Sequence, residues 1–140
     1  MKKIIHAVEI NVPRPKVFEA ITTQPGLSSW WTTKVAVEPG EGGIVDFEFM
    51  EGFNPDMKVT RLEKDQAVHW RCVAGHDNWQ DNTFACELSD QADKTLLMFT
   101  QTYATELDDV TYGIYNFNWG YYLDSLREYC ESGAGKPFSA

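Results

Sequence analysis

The sequence predicts an α+β domain in which a curved antiparallel sheet of about seven strands wraps around a long C-terminal helix, with two short helices after the first strand. Three observations predict it. The chain closes on one long aromatic-rich helical stretch that runs to a glycine stop. Residues 33–103 are a succession of strand-patterned runs separated mostly by short turn-rich segments. Two short proline-bounded helical runs stand between the first strand and that succession.

The first strand is expected over residues 4–12, where Ile4, His6, Val8, Ile10 and Val12 share one side and Pro13-Arg14-Pro15 ends the run. Pro15 suits a helix's first turn, and Val17, Phe18, Ala20 and Ile21 then recur at helical spacing until Thr22-Thr23-Gln24-Pro25 breaks them. Pro25-Gly26-Leu27-Ser28-Ser29 starts a turn or second short helix that delivers Trp30 and Trp31. Strands follow at 33–37, 44–50, 57–64, 67–73, 83–88 and 95–103. The separators 39–43, 63–66 and 89–94 have hairpin composition, so neighbouring strands pair antiparallel in one meander. Residues 73–82 form a longer connection carrying Gly75-His76-Asp77-Asn78-Trp79, the loop most suited to function. The last helix is capped by Asp108 or Asp109 and stopped by Gly133, a length of about 33–36 Å. Tyr112, Asn116, Trp119, Leu123, Leu126 and Cys130 step by four and three into one stripe, widened by Tyr115, Tyr122 and Tyr129.

With 140 residues, the chain is expected to form one domain, 1–140, with a core of its own. Aromatics make up 14% of it, with five tryptophans, which calls for a large interior or a pocket. A net charge of −9 without a basic run argues against nucleic acid or an anionic membrane as partner. No stretch approaches the roughly 18 apolar residues of a membrane span. Cys72, Cys86 and Cys130 are odd in number, lack a CxxC spacing and lie in apolar segments, so they read as reduced packing thiols in a cytoplasmic protein.

Ile10 to Thr22 followed by Trp30-Trp31 resembles the opening of the SRPBCC superfamily. The helix Trp119-Gly120-Tyr121-Tyr122-Leu123-Asp124-Ser125-Leu126 with Gly133-Ala134-Gly135-Lys136-Pro137-Phe138 resembles the end of its branch named after the activator of the heat-shock-90 ATPase. The resemblance implies a helix-grip fold, related to START domains and the birch-pollen allergen Bet v 1, with a hydrophobic cavity between sheet and C-terminal helix. Members bind lipids, sterols, polyketides or plant hormones, and some cyclise polyketide chains.

The cavity wall is expected from Trp30, Trp31, Phe47, Phe49, Trp70, Phe84, Phe99, Tyr112, Tyr115, Asn116 and Trp119. Trp30-Trp31 can place one ring in the core and the other at a pocket mouth. Asn116 interrupts the apolar stripe and would need protein, water or a ligand as partner. Val68-His69-Trp70-Arg71-Cys72 alternates, so Arg71 is either a solvated sheet residue or, in the other register, a cavity cation able to hold a carboxylate or phosphate. Asp46 and Glu48 read as a solvated strand face outside Phe47 and Phe49. His69, Cys72, His76 and Asp77 lack metal-site spacing, so no metal or other cofactor is expected. Nor does a nucleophile motif occur, whether GxSxG, Cys-His-Asn or a phosphate loop.

The expected function is therefore binding of a small hydrophobic or amphipathic ligand without turnover. A cyclase or aromatase using Tyr112, Tyr115 or Arg71 is the alternative. A second alternative is a chaperone-interacting module with an exposed aromatic patch around Trp79. The sequence is compatible with a monomer or a weak homodimer, and the strand at 33–37 is an edge candidate.

Overall fold

The computed structural model describes residues 2–140. The elements run β1 (Lys3–Ile10), α1 (Arg14–Thr22), α2 (Gln24–Trp30), β2 (Lys34–Val37), β3 (Ile44–Glu48), β4 (Asp56–Glu63), β5 (Ala67–Ala74), a 3-10 turn (Asp77–Trp79), β6 (Thr83–Gln91), β7 (Lys94–Thr102) and α3 (Asp109–Ser132). The seven strands form one antiparallel sheet in the order β1-β7-β6-β5-β4-β3-β2, so β2 to β7 are the expected meander and β1 closes it beside β7.

Two of the boundaries differ from expectation for identifiable reasons, and one ladder carries bulges. The 89–94 segment is not a six-residue connection: β6 and β7 stay paired to Gln91↔Lys94, leaving a two-residue turn in which Ala92 takes a positive φ of 56°. β3 stops at Glu48 rather than at residue 50, because Phe49 N bonds the Asn54 side chain and Phe53 N bonds Met50 O in a tight turn. The β4–β5 ladder shifts register between Asp56 and Met57 and between Val59 and Arg61, bulges that sharpen the curl.

α3 is 24 residues long. Asp108 caps it by accepting from Thr111 N at 2.8 Å, and Gly133, with φ 88°, closes it in the left-handed conformation that a side chain would strain. The helix packs on β1, α1 and α2. Its inward residues Tyr112, Trp119, Leu123, Leu126 and Cys130 join the inward-facing Phe47, Met57, Trp70, Cys72, Phe84, Leu97 and Phe99 of the sheet in one core. Toward β3 and the 49–53 turn, aromatic rings fill the space between helix and sheet.

Candidate functional site: an aromatic cavity under the last helix

Trp119 is the hub. Its ring lies 4.2 Å from Phe99, 5.0 Å from Trp31, 6.0 Å from Trp79 and 6.2 Å from Phe84, centroid to centroid. Its indole N–H donates to Gln101 Oε1 at 2.8 Å. On the side away from Phe99, a cavity of about 100 Å³ opens between Trp31, Phe49, Phe53, Trp79, Tyr115 and Trp119. Met50, Asn118, Tyr122 and Phe138 complete its lining, with Met50 and Asn118 exposed at the rim.

The tryptophan pair divides as a core ring and a cavity ring. Trp30 and Trp31 are stacked 5.5 Å apart, but Trp30 donates to Ala20 O at 2.8 Å inside the core while Trp31 faces the cavity against Phe47 and Phe49. Of the other expected wall residues, Phe49, Tyr115 and Trp119 line the cavity. Phe47, Phe84 and Phe99 stand one layer behind them, each in ring contact with Trp31 or Trp119. Trp70 is elsewhere, beside a 30 Å³ space lined by Leu27, Val45 and Val68 that holds no more than a water-sized occupant. Tyr112 packs edge-on against Tyr103 near the start of α3, where Lys2 Nζ lies 4.4 Å from its ring centre.

Two expectations are corrected, for Asn116 and Trp79, and the open alternative for Arg71 is decided in favour of the solvated sheet face. Asn116 is not a buried amide: it sits at the edge of the inward stripe, is exposed, and accepts from His6 Nε2 at 3.0 Å. Arg71 is not in the cavity, because Trp70 and Cys72 take the inward positions of β5 and alternation turns Arg71 to the exposed outer face. Nor is there an exposed aromatic patch at Trp79, whose ring is 4% exposed and is held between Phe53, Phe84 and Trp119. The loop does serve the cavity: it supplies Trp79, and Asn78 Nδ2 donates to Tyr115 Oη at 3.1 Å. Asn82 ties the loop to the end of β7, donating to Asn78 O and accepting from Ala104 N.

Sequence reasoning missed Met50, Phe53, Asn118, Tyr122 and Phe138 around the cavity. Phe53 follows the turn glycine Gly52, a position with no strand alternation to betray an inward ring. Phe138 arrives through the C-terminal tail. Ser125 Oγ donates to Trp30 O and accepts from Lys136 N, while Phe138 N donates to Trp31 O and Thr33 N donates to Phe138 O. These bonds fasten the tail across the end of α2 and set the Phe138 ring 5.7 Å from Phe49.

Three buried polar groups of the core are incompletely used. Trp79 Nε1, Gln101 Nε2 and Tyr103 Oη make no well-formed hydrogen bond, although the Trp79 N–H lies close enough to the Tyr103 oxygen to act on its phenol. Burial pushes the Tyr103 phenol's pKa well up, reinforced by Tyr115 and Tyr112 and opposed by the nearby Trp79 N–H. Tyr103 is therefore a neutral O–H at physiological pH, available to donate or accept. Of these three residues only Trp79 lines the aromatic cavity, while Tyr103 borders a separate groove beside Lys2, Thr105 and Tyr112.

Among the described residues no group of three or more His, Cys, Asp or Glu is placed to hold a metal ion. His69 and Cys72 point to different faces, the former 3.7 Å from Glu87 on the outer side. No helix among the described residues is long and apolar enough to cross a membrane.

Comparison with solved structures places the fold among known ones. The Aha1 dimer from Colwellia psychrerythraea, solved in solution, is 29% identical, with a TM-score of 0.85 over 96% of this chain and 100% of that one. Protein SSP2350 from Staphylococcus saprophyticus is 20% identical, with a TM-score of 0.78 over 99% and 98% of the two chains. CalU16 from Micromonospora echinospora is 19% identical, with a TM-score of 0.75 over 92% and 74%. No curated protein matches the sequence. The family model described as activator of Hsp90 ATPase homolog 1-like protein matches residues 11–131, the whole span from the end of β1 to the last turn of α3, and the chain belongs to that family.

Proposed function

We propose that the protein binds a small, mainly apolar molecule bearing an acceptor oxygen in the cavity beneath α3, without turning it over. The observation that carries this reading is an aromatic cavity with Trp79 in its wall, whose buried indole N–H makes no well-formed hydrogen bond. Buried polar groups cost stability unless they are satisfied, and a ligand's carbonyl or carboxylate would satisfy them. The volume of about 100 Å³ suits a single ring or short chain. A lipid-sized body would need the 49–53 turn and the Phe138 ring to move apart.

Binding is favoured over the cyclase alternative by how its candidate residues are used. Arg71 faces outward, Tyr112 Oη accepts from Leu107 N at 2.8 Å, and Tyr115 Oη accepts from Asn78. Of the three only Tyr115 lines the cavity, so the set of groups that the cyclase reading would use is not assembled there. Native mass spectrometry of protein purified from its own cells tests for a stoichiometric passenger. Titration with acetophenone, followed through the indole N–H signals of Trp79 and Trp119, tests the site directly. Absence of both a passenger and saturable indole shifts at millimolar probe would overturn the reading.

Family membership supports a second reading, contact with an Hsp90-type chaperone. An unchanged chaperone ATPase rate at micromolar protein would remove it. A relative solved as a dimer supports association of this chain with a second copy of itself. Sedimentation across a concentration series tests that assembly.

A further inference from the structure

α3 carries a second apolar stripe, on its outward side. Val110, Ile114, Phe117 and Tyr121 step by four, three and four and are 72%, 56%, 77% and 48% exposed. Beside this ridge lie Gly113 and Gly120, seven residues apart on one side of it. Glycine is a poor helix-interior residue, and neither is required by its own chain. A Cβ on Gly113 would meet nothing within 4 Å, and one on Gly120 would make only an ordinary contact with His6 at 3.8 Å. A ridge of bulky side chains flanked by a groove of missing ones is the surface that a second helix packs into.

We propose that a second copy of this chain covers the stripe, its α3 antiparallel to the first across a twofold axis at the level of residue 115. This rests on the second-copy reading above and names its surface. The residue numbers fix the register, because 113 with 117 and 110 with 120 are symmetric about the same point. One axis therefore sets Phe117 against Gly113 of the partner subunit and Val110 against Gly120 of the partner subunit, and each contact recurs in reverse. A parallel, in-register pair would instead set Phe117 ring against ring and leave the glycines facing one another.

The area sets the strength. With about 150–250 Å² for a whole aromatic side chain, the four ridge residues offer on the order of 400 Å² per subunit, or about 800 Å² for the pair. That is the low end for association, so the dimer is weak and reversible. Each subunit carries −9, so the copies repel and added salt tightens the pair.

Sedimentation equilibrium from about 10 μM to about 1 mM tests this, with Phe117→Asp and Gly113→Leu beside the wild type. Both sites are exposed, and circular dichroism checks that each variant folds. The wild-type dimer should tighten with salt, and each variant should raise its dissociation constant at least about tenfold. A mixture of Gly113→Cys and Phe117→Cys chains, oxidised with glutathione disulfide, should give a cross-linked heterodimer, while Gly113→Cys with Gly120→Cys should not. The native cysteines are buried and do not interfere. A dimer unaffected by both variants, or missing the predicted cross-link, overturns this surface or its register and leaves the second-copy reading standing. A wild-type monomer throughout the range overturns both.

Discussion

Trp79, carried by the loop between β5 and β6, and Trp119, on α3, lie face to face with ring centroids 6.0 Å apart and planes 9° from parallel. The contact joins two segments forty residues apart in sequence and makes one wall of the cavity. The two indole N–H groups are used differently: that of Trp119 is bound to Gln101, while that of Trp79 makes no well-formed hydrogen bond.

Trp79→Phe keeps a ring against Trp119 and removes the indole N–H. If that donor serves a ligand's oxygen, acetophenone should bind about 2–10-fold more weakly to the variant, while ethylbenzene, which has the same shape without the oxygen, should bind equally to both. NMR titration of the two probes separates these outcomes. Equal losses for both would assign Trp79 a packing role alone.

Trp119→Ala removes the hub of five rings and leaves Gln101 without its donor. Urea unfolding should show a loss of about 3–5 kcal/mol, the range for emptying a large aromatic from a core. Trp119→Phe retains most of the packing but strands the Gln101 carbonyl, which should cost about 1–3 kcal/mol. A Trp119→Phe variant as stable as the wild type would deny the Gln101 bond a role.

The strands and the long helix were legible because each has a period. Alternation marks Phe47, Trp70, Phe84 and Phe99 as inward, and the four-three stepping marks Trp119, Leu123, Leu126 and Cys130. Asn116 broke the pattern because the stripe is widest there and its edge already faces solvent and His6. The rest of the cavity comes from residues without a period. Phe53 lies on a tight turn, Trp79 on a single 3-10 turn, and Phe138 on a tail held by backbone hydrogen bonds. Their directions follow from three-dimensional closure, which local sequence does not encode. Gln101 and Tyr103 were hidden for another reason: a polar residue at an inward strand position looks like an exception until its neighbours are known.

Gly135 is where the tail comes closest to the body. A Cβ there would stand 2.6 Å from Ser29 O and 2.9 Å from Ser125 O, backbone atoms that cannot swing away. Gly135→Ala should therefore lift the tail, cost about 1–2 kcal/mol and release Phe138 from the cavity lining. Limited proteolysis should cut the variant's tail earlier than the wild type's. Unchanged cleavage would mean that the close approach at Gly135 does not control how the tail is seated.

The three thiols should be inert in the native protein. Burial pushes Cys72 up to about 11 and Cys86 and Cys130 up to about 12, so almost no thiolate exists at neutral pH. A disulfide reagent such as dithionitrobenzoate should label none of them in native buffer and all three in denaturant. Labelling that keeps pace with the reagent under native conditions would contradict the packing shown for these residues.

Asp46 and Asp56 face each other as the last pair of the β3–β4 ladder. Partial burial, the Asp46 charge and a hydrogen bond to Asp46 all raise the Asp56 pKa above its ordinary 3.8. A carboxyl raised in the folded state binds more protons there than in the unfolded chain between those two pKa values. Stability contributed by this pair is therefore greatest at low pH and declines as pH climbs through the raised value. Above the raised value, where Asp56 is ionised, the cross-strand repulsion is fully present. Asp56→Asn should then stabilise the fold by roughly 0.2–1 kcal/mol in low salt, the range for a cross-strand pair. That gain should shrink as salt screens the wild-type repulsion, and should fade below about pH 3.8, where Asp56 is protonated whether folded or not. Urea midpoints for both proteins across this pH range decide it. A variant no more stable than wild type at neutral pH and low salt would show that the two carboxylates do not repel across the β3–β4 ladder.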